Sequence, residues 1–219
     1  AKTGAWWENN KQRALANNSV CYTEKPDVET FLDEWTSLVK SKSGERGIFN
    51  RVAAQNQASK WGRRSNDASY GCNPCSEILL RDKQFCNLTE VVVRANDTYI
   101  TLKRKVQLAT ILGTIQSTLT NFGFLSEEWV KNTEEERLLG VSLTGIMDNA
   151  YLNGSDMFCS EPFGGQLLED SLKFLRQYAR ETNEKWADML GIPSSTAITC
   201  VKPSGTVSQL VNSASGIHA

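Results

Sequence analysis

Apolar residues recur at helical spacing after Pro26-Asp27. Val28, Phe31, Leu32, Trp35, Leu38 and Val39 fall on one face, which predicts an amphipathic helix ended by Ser43-Gly44. A second helix is predicted from about Asn50 to Trp61, in a run rich in Ala and Gln. Residues 62–74 are polar and punctuated by glycine, the composition of a loop. Ile78-Leu79-Leu80 and Val91-Val92-Val93 are short β-type runs. The helical period returns from Lys103 to Phe122, where Val106, Ala109, Ile111, Leu112, Ile115 and Leu119 form a stripe that reads as a core face. Thr133, with Glu136 three residues on, has the form of a capping box, which predicts a helix start ahead of Leu138, Leu139, Val141 and Leu143. A long amphipathic helix is expected from about Gly165 to Leu190, closed by Gly191 and Pro193. Ala197 to Val201 reads as a buried strand, and Lys202-Pro203-Ser204-Gly205-Thr206 as the turn that opens a last helix. Strands alternate with helices in the second half, so the fold class is α/β, with too few strands to close a sheet.

A chain of 219 residues corresponds to one or two domains and buries roughly 70% of its unfolded surface. Lys and Arg number 24 against 25 Asp and Glu, a net charge of −1, which argues against a nucleic-acid partner. No apolar run reaches the roughly 20 residues of a membrane helix, and Trp6-Trp7-Glu8-Asn9 is the wrong chemistry for a secretory leader. The six cysteines, Cys21, Cys72, Cys75, Cys86, Cys159 and Cys200, are therefore expected as free thiols in a reducing, cytoplasmic setting. The chain opens on Ala1 and stops at Ser215-Gly216-Ile217-His218-Ala219, the ends expected of an internal part of a longer protein.

Three cysteines lie between residues 72 and 86. Gly71-Cys72-Asn73-Pro74-Cys75-Ser76-Glu77 packs two thiols, an amide and a carboxylate into one loop. Pro74 fixes its own φ and biases Asn73 away from helix, so the loop is stiff. Asn73, Cys75 and Glu77 are spaced by two; in an extended segment all three point to one side, and a carboxylate beside a substrate hydroxyl is a candidate general base. Two other readings stay open at this point. Cys72-x-x-Cys75 has the spacing of a thiol redox pair, although Pro74 and the β-type run behind it disfavour the strand-to-helix setting of that motif. Cys72, Cys75 and Cys86 also offer three zinc ligands, but a structural zinc takes four, and the single histidine, His218, is far along the chain. Phe85-Cys86-Asn87-Leu88-Thr89-Glu90 is a cysteine entering a strand; the short link Arg81–Gln84 is expected to fold back and bring Cys86 near the Cys75 loop. Thr199 to Ser208 combines a strand, a Pro-Ser-Gly-Thr turn and a helix start, which reads either as an ordinary N-cap or as an anion site. It is not a Walker loop. Trp6-Trp7 reads as packing, Glu134-Glu135-Glu136 as a solvated run near a helix end, and His218 carries no role.

Asn73-Pro74-Cys75-Ser76-Glu77-Ile78 followed by Phe85-Cys86-Asn87-Leu88-Thr89-Glu90-Val91 resembles the active-site region of the ribonucleotide reductase large subunit, most closely the class II, adenosylcobalamin-dependent enzymes. Lys2-Thr3-Gly4, Arg13 to Ser19, Ser43 to Arg51, Gly140 to Asp148, Lys202 to Thr206 and Ser215 to His218 extend the resemblance over nearly the whole chain. It implies part of a ten-stranded α/β barrel filling residues 1–219, with a finger loop at about 71–77 and a phosphate-binding turn at about 202–208. It further implies that Cys75 becomes a thiyl radical and removes the ribose 3′ hydrogen, that Glu77 takes the 3′-hydroxyl proton, and that Asn73 holds ribose hydroxyls. Cys86 is then one member of the redox pair that reduces the 2′ carbon. The other member lies upstream of this chain in the family; Cys21 does not match it. Pro203, Ser204, Gly205 and Thr206 match the residues that hold the substrate phosphates. Cys72 departs from the family pattern, where a non-cysteine is expected.

The implied cofactor is adenosylcobalamin, the substrate a ribonucleotide, the reductant thioredoxin-like, and the product a 2′-deoxyribonucleotide. A class I large subunit with a separate radical-generating subunit, a thiol redox or zinc-binding module, and a split protein complemented by another chain are the alternatives. The 219 residues by themselves are expected not to turn over.

Overall fold

The computed structural model describes residues 6–9, 11, 19–41, 47–60, 62–155 and 167–216. Lys2-Thr3-Gly4, Arg13 to Asn18, Ser43-Gly44, Trp61, Cys159, Gly165 and His218 lie outside them, as do the side chains of Trp6 and Trp7. The elements in order are α1 (Trp6–Asn9), β1 (Ser19–Tyr22), α2 (Val28–Ser41), β2 (Gly47–Asn50), α3 (Arg51–Ser59), β3 (Gly71–Cys72), β4 (Leu79–Leu80), β5 (Asn87–Val92), α4 (Tyr99–Gln116), α5 (Glu127–Glu136), β6 (Leu139–Thr144), a 3₁₀ turn (Ile146–Asp148), α6 (Leu168–Leu190) and α7 (Gly205–Leu210). Parallel strand pairs joined by helices make the chain α/β. It divides into two compact units, one ending at Leu79 and one beginning at Leu80.

In the first unit β1 and β2 pair in parallel, from Ser19↔Gly47 to Tyr22↔Asn50. Asp27 caps α2, accepting from the Thr30 amide at 2.9 Å and the Thr30 hydroxyl at 2.6 Å. Those bonds favour the charged form and hold the Asp27 carboxyl below its ordinary value. The apolar face read for α2 is present, but none of its residues is buried; Phe31 stacks on Trp35 with ring centroids 6.3 Å apart. The core here is small: Ala54, Ala58 and Tyr70, with Phe49, Ala68 and Leu79 against them. Asn50 caps α3 by accepting from the Ala53 amide. The polar stretch 62–74 is tied down by Tyr70, whose ring is fully buried under Arg64 and whose hydroxyl donates to the Ser65 carbonyl at 2.7 Å.

In the second unit β5 and β6 pair in parallel, from Asn87↔Leu139 to Val92↔Thr144. Helices α4 and α6 pack on them around Val91, Val106, Leu139, Val141, Leu175 and Ala179. Parallel neighbours need a long crossover, and α4 with α5 supplies it. The capping box of this unit is Thr98 with Thr101, so α4 starts at Tyr99 rather than Lys103. Its buried face is Leu102, Val106, Thr110, Gly113 and Thr114, while Leu112, Ile115 and Leu119 of the expected stripe are exposed. The physical reason is that Thr110 and Thr114 satisfy their own hydroxyls on Val106 and Thr110 carbonyls, at 2.7 and 2.8 Å. Gly113, also buried, faces Leu139 and Thr89 of the strand pair.

Two further expectations are corrected. Thr133 and Glu136 do not begin a helix; they end α5, and the segment after them is strand β6. Thr133 accepts from the Phe85 amide at 3.3 Å and Glu136 from the Gln84 amide at 2.7 Å, so tertiary contacts take the atoms a cap would use. Arg137, in the left-handed conformation at φ 42°, turns the chain out of the helix. The strand expected at Ala197–Val201 shrinks to a single parallel bridge, Val141↔Thr199. Val201 already stands 69% exposed, Lys202 donates its amide to the Ser142 side chain instead of a neighbouring backbone, and Pro203 has no N–H to give. By contrast α6 closes as read, on Gly191 at φ 66°. Among the described residues no helix is long and apolar enough to cross a membrane.

Buried polar groups knit this unit. Asn183, fully buried, donates to Thr114 Oγ1 at 2.9 Å and Ser195 Oγ at 3.0 Å and accepts from the Ser195 amide at 2.9 Å. Asn183→Ala is expected to cost about 2–3 kcal/mol, because three buried partners lose their bonds at once; a urea unfolding midpoint measures it. Burial raises the Asp97 carboxyl, but hydrogen bonds from Lys105, Thr101 and the Arg94 amide outweigh it and leave it below its ordinary value. A lowered folded value contributes stability above the unfolded carboxylate pKa of roughly 3.9, lost as pH falls through the folded value. Asp97→Asn should therefore destabilise the protein at neutral pH and flatten that acid limb, read from unfolding midpoints across pH.

Candidate active site

Pro74 and the residue before it set the local geometry of the Cys75 loop. The Ser76 amide donates to the Asn73 carbonyl at 2.9 Å, which closes a β-turn with Pro74 at its second position, where a fixed φ near −65° fits. Ser76 then takes a left-handed conformation at φ 63°. The Asn73 amide donates to Ile78 O at 3.2 Å, and Ile78 N–H donates to Asn73 Oδ1 at 3.0 Å. Asn73 thus ties both ends of the turn, β3 and β4 pair across its base, and the apolar anchor is the buried Ile78.

This corrects the premise of an extended row. Asn73, Cys75 and Glu77 do share one short segment, but it is a turn. Cys75 is exposed at its apex, Glu77 is half-buried on the returning arm, and the Asn73 carbonyl side is occupied in the turn itself. Cys72 is half-buried, its sulfur 3.4 Å from the Ser76 hydroxyl. The described cysteines, Cys21, Cys72, Cys75, Cys86 and Cys200, form no disulfide with one another.

Cys86 belongs to the second unit. The link before it is a turn with Lys83 left-handed at φ 48°. Arg81 and Gln84 both donate to the Asn132 carbonyl of α5 at 2.9 Å. Phe85 stacks on Trp129 and meets Phe122 edge-on, while Asn87 donates backbone and side-chain N–H to the Leu138 carbonyl. Both neighbours of Cys86 are therefore fixed, and its half-buried side chain lines a cavity of about 620 Å³ shared with Phe85, Asn87, Leu119, Phe122 and Phe124.

The Pro203–Thr206 turn is held from three directions. Lys202 N–H donates to Ser142 Oγ at 3.0 Å, Ser204 Oγ donates to Glu90 Oε2 at 2.7 Å, and Gly216 N–H donates to the Pro203 carbonyl at 3.0 Å. Glu90 and Ser142 are paired positions of β5 and β6, so two neighbouring side chains on one face of the strand pair grip the turn. A Cβ on Gly216 would stand 2.0 Å from the Lys202 carbonyl, which only glycine avoids. Ser204, buried, is left-handed at φ 59°. Helix α7 begins at Gly205 and its first internal bond is Ser208 N–H to Ser204 O, so the amides of Gly205, Thr206 and Val207 precede the helical ladder.

The structure thus gathers Asn73, Cys75 and Glu77 on one turn in the first unit, and sets Cys86 and Pro203–Thr206 in the second. Glu90 and Ser142 were not singled out from sequence; their partners lie 114 and 60 residues along the chain, and no local spacing announces them. Among the described residues no three His, Cys, Asp or Glu side chains converge as metal ligands.

No protein-family model matches the chain. It is 28% identical over 233 aligned residues to the adenosylcobalamin-dependent ribonucleoside-triphosphate reductase of Lacticaseibacillus paracasei, covering 94% of this chain and 29% of that enzyme. The corresponding probable enzyme of Dictyostelium discoideum is 28% identical over 151 residues, 68% of this chain and 18% of that protein. A crystal structure of a B-12 dependent (class II) ribonucleotide reductase superposes with a TM-score of 0.59 at 21% identity, over 95% of this chain and 31% of that one, and shows a shared fold. The chain spans under a third of the length of these relatives. The resemblance read from its motifs is borne out by these relatives.

If Asn73 holds the turn, Asn73→Ala should expose it and Asn73→Asp, which keeps the acceptor for Ile78 N–H, should not. The expected signature is about a tenfold faster amide exchange at Ile78 in the alanine variant only, the equivalent of one lost hydrogen bond.

Proposed function

We propose that this chain is part of the catalytic barrel of an adenosylcobalamin-dependent ribonucleotide reductase, and that its parallel strand pairs are arcs of the family's ten-stranded barrel. The observation that carries the proposal is the braced turn with Cys75 at its apex and Glu77 two residues on, in a chain similar to such reductases over 94% of its length.

The coenzyme supplies, when bound, the hydrogen-abstracting radical that no amino-acid side chain generates unaided. Cys75 is the residue on which that chemistry acts. Its exposed thiol is reachable from outside the loop, and Pro74 and Asn73 keep its backbone from moving away. As a thiyl radical Cys75 takes the 3′ hydrogen of the ribose. Glu77 accepts the proton of the 3′ hydroxyl, and the 2′ hydroxyl leaves as water. Cys86 and a second cysteine elsewhere in the protein give the two electrons and become a disulfide, after which Cys75 returns the 3′ hydrogen. The sum is ribonucleotide plus dithiol to deoxyribonucleotide, disulfide and water. Asn73 Oδ1 is committed to Ile78, so its amide NH₂ is the group offered to a ribose hydroxyl.

Pro203–Thr206 is the reading for the substrate phosphates. The pre-helical amides and the Thr206 hydroxyl are the donors, while Ser204 Oγ is already spent on Glu90. The relatives' names favour a triphosphate substrate. A thioredoxin-like dithiol re-reduces Cys86 and its partner in a reducing, cytoplasmic setting.

In the full-length protein with adenosylcobalamin and CTP, Cys75→Ser is expected to abolish dCTP formation while CTP affinity stays unchanged. Glu77→Gln should lower kcat by about 10²–10⁴, the usual worth of a positioned proton acceptor. Cys86→Ser should prevent repeated turnover. Substantial dCTP from Cys75→Ser sinks the assignment.

A further inference from the structure

We infer that Glu90 is a positioning residue for substrate phosphate, a latch that sets the Ser204–Thr206 turn through the Ser204 hydroxyl. The inference rests on the phosphate reading of that turn and goes beyond it by assigning a carboxylate on a different strand.

Ser204 is a non-glycine residue in the left-handed region, a conformation that costs energy unless the surroundings impose it. What imposes it is visible. Its hydroxyl donates to Glu90 Oε2 at 2.7 Å, a charge-assisted bond stronger than a neutral one. The same serine is 4% exposed, so the bond is shielded from competing water. One residue earlier Gly216 N–H fixes the Pro203 carbonyl, and two residues earlier Ser142 fixes the Lys202 amide. These two bonds fix the approach to the turn; the Glu90 bond holds the side chain of Ser204 itself, the residue whose φ decides where the Gly205, Thr206 and Val207 amides point.

Glu90 is held as firmly. It sits within β5, opposite Ser142 on β6. Its other oxygen, Oε1, is shut off from solvent with no hydrogen-bond partner among the described residues. Burying a carboxylate oxygen this way is costly, and stability alone is no reason to keep it. Glutamine in its place would keep an acceptor for Ser204 and remove the charge; alanine would remove both.

The latch makes no contact with the reacting ribose, so its loss should appear in substrate binding and not in the chemical step. Glu90→Ala in the full-length protein is expected to raise the CTP Kd and KM about tenfold, one lost charge-assisted bond, with kcat within about twofold. Glu90→Gln should recover most of that loss. Ser204→Ala should match Glu90→Ala, and the double variant should be no worse than either single one, since both remove the same bond. Without any ligand, the Ser208 amide, bonded to Ser204 O, should exchange faster in Glu90→Ala and Ser204→Ala.

Unchanged Ser208 exchange in both single variants overturns the latch. So does a CTP Kd unmoved by Glu90→Ala while Thr206→Val raises it, and in that case the phosphate reading stands. A Kd unmoved by Thr206→Val as well refutes the phosphate reading, and the positioning role with it. Additive losses in the double variant also overturn the inference, because Glu90 and Ser204 then act separately.

Discussion

Parallel pairing of β5 with β6, in register from Asn87↔Leu139 to Val92↔Thr144, is the constraint from which the second unit follows. Two parallel strands cannot be joined by a tight turn, so α4 and α5 must cross between them, and the buried face of α4 forms the core with the strand pair and α6. The same register places Glu90 beside Ser142, and those two side chains grip the turn at 202–204. At the start of β5, the hydrogen bonds from Asn87 to the Leu138 carbonyl and the packing of Phe85 on Trp129 fix both neighbours of Cys86. A slip of one residue would send Glu90 to the opposite face and undo the core and the turn together.

The first unit works on a smaller scale. Among the described residues its core cluster is Ala54, Ala58 and Tyr70 with a few neighbours, and local bonds add to its order: Asp27 and Asn50 as caps, Tyr70 under Arg64, and Asn73 across the base of the Cys75 turn. The radical role proposed for Cys75 needs a backbone that does not wander, and a four-residue turn that contains Pro74 and is clamped by Asn73 provides that with little mass. Cys72 rests against Ser76 on the same turn.

Much of this was legible in the residues, and the failures have common causes. Helix α3 was readable from its run of Ala and Gln, and α6 because its closing Gly191 is a local signal. The loop around Cys75 was readable as stiff from Pro74. It was misread as extended because the spacing of Asn73, Cys75 and Glu77 carries no information about the hydrogen bond from Ser76 to Asn73 that bends it. On α4, Val106 and Ala109 of the apolar stripe do face the core, but Leu112, Ile115 and Leu119 face outward, because threonines that bond their own helix count as polar in sequence and behave as core in the fold. Thr133 and Glu136 look like a helix start but serve as acceptors for Phe85 and Gln84, some 50 residues upstream. The grip of Glu90 on Ser204 joins residues 114 apart and has no sequence signature.

The central claim is that Cys75 acts on the 3′ carbon of a ribonucleotide, and an isotope at that carbon tests it most directly. In the full-length protein with adenosylcobalamin, CTP carrying deuterium at C3′ should be reduced more slowly than unlabelled CTP, with the label kept at C3′ of the product, because the bond that Cys75 breaks is also the one it restores. Equal single-turnover rates for labelled and unlabelled CTP would contradict the account.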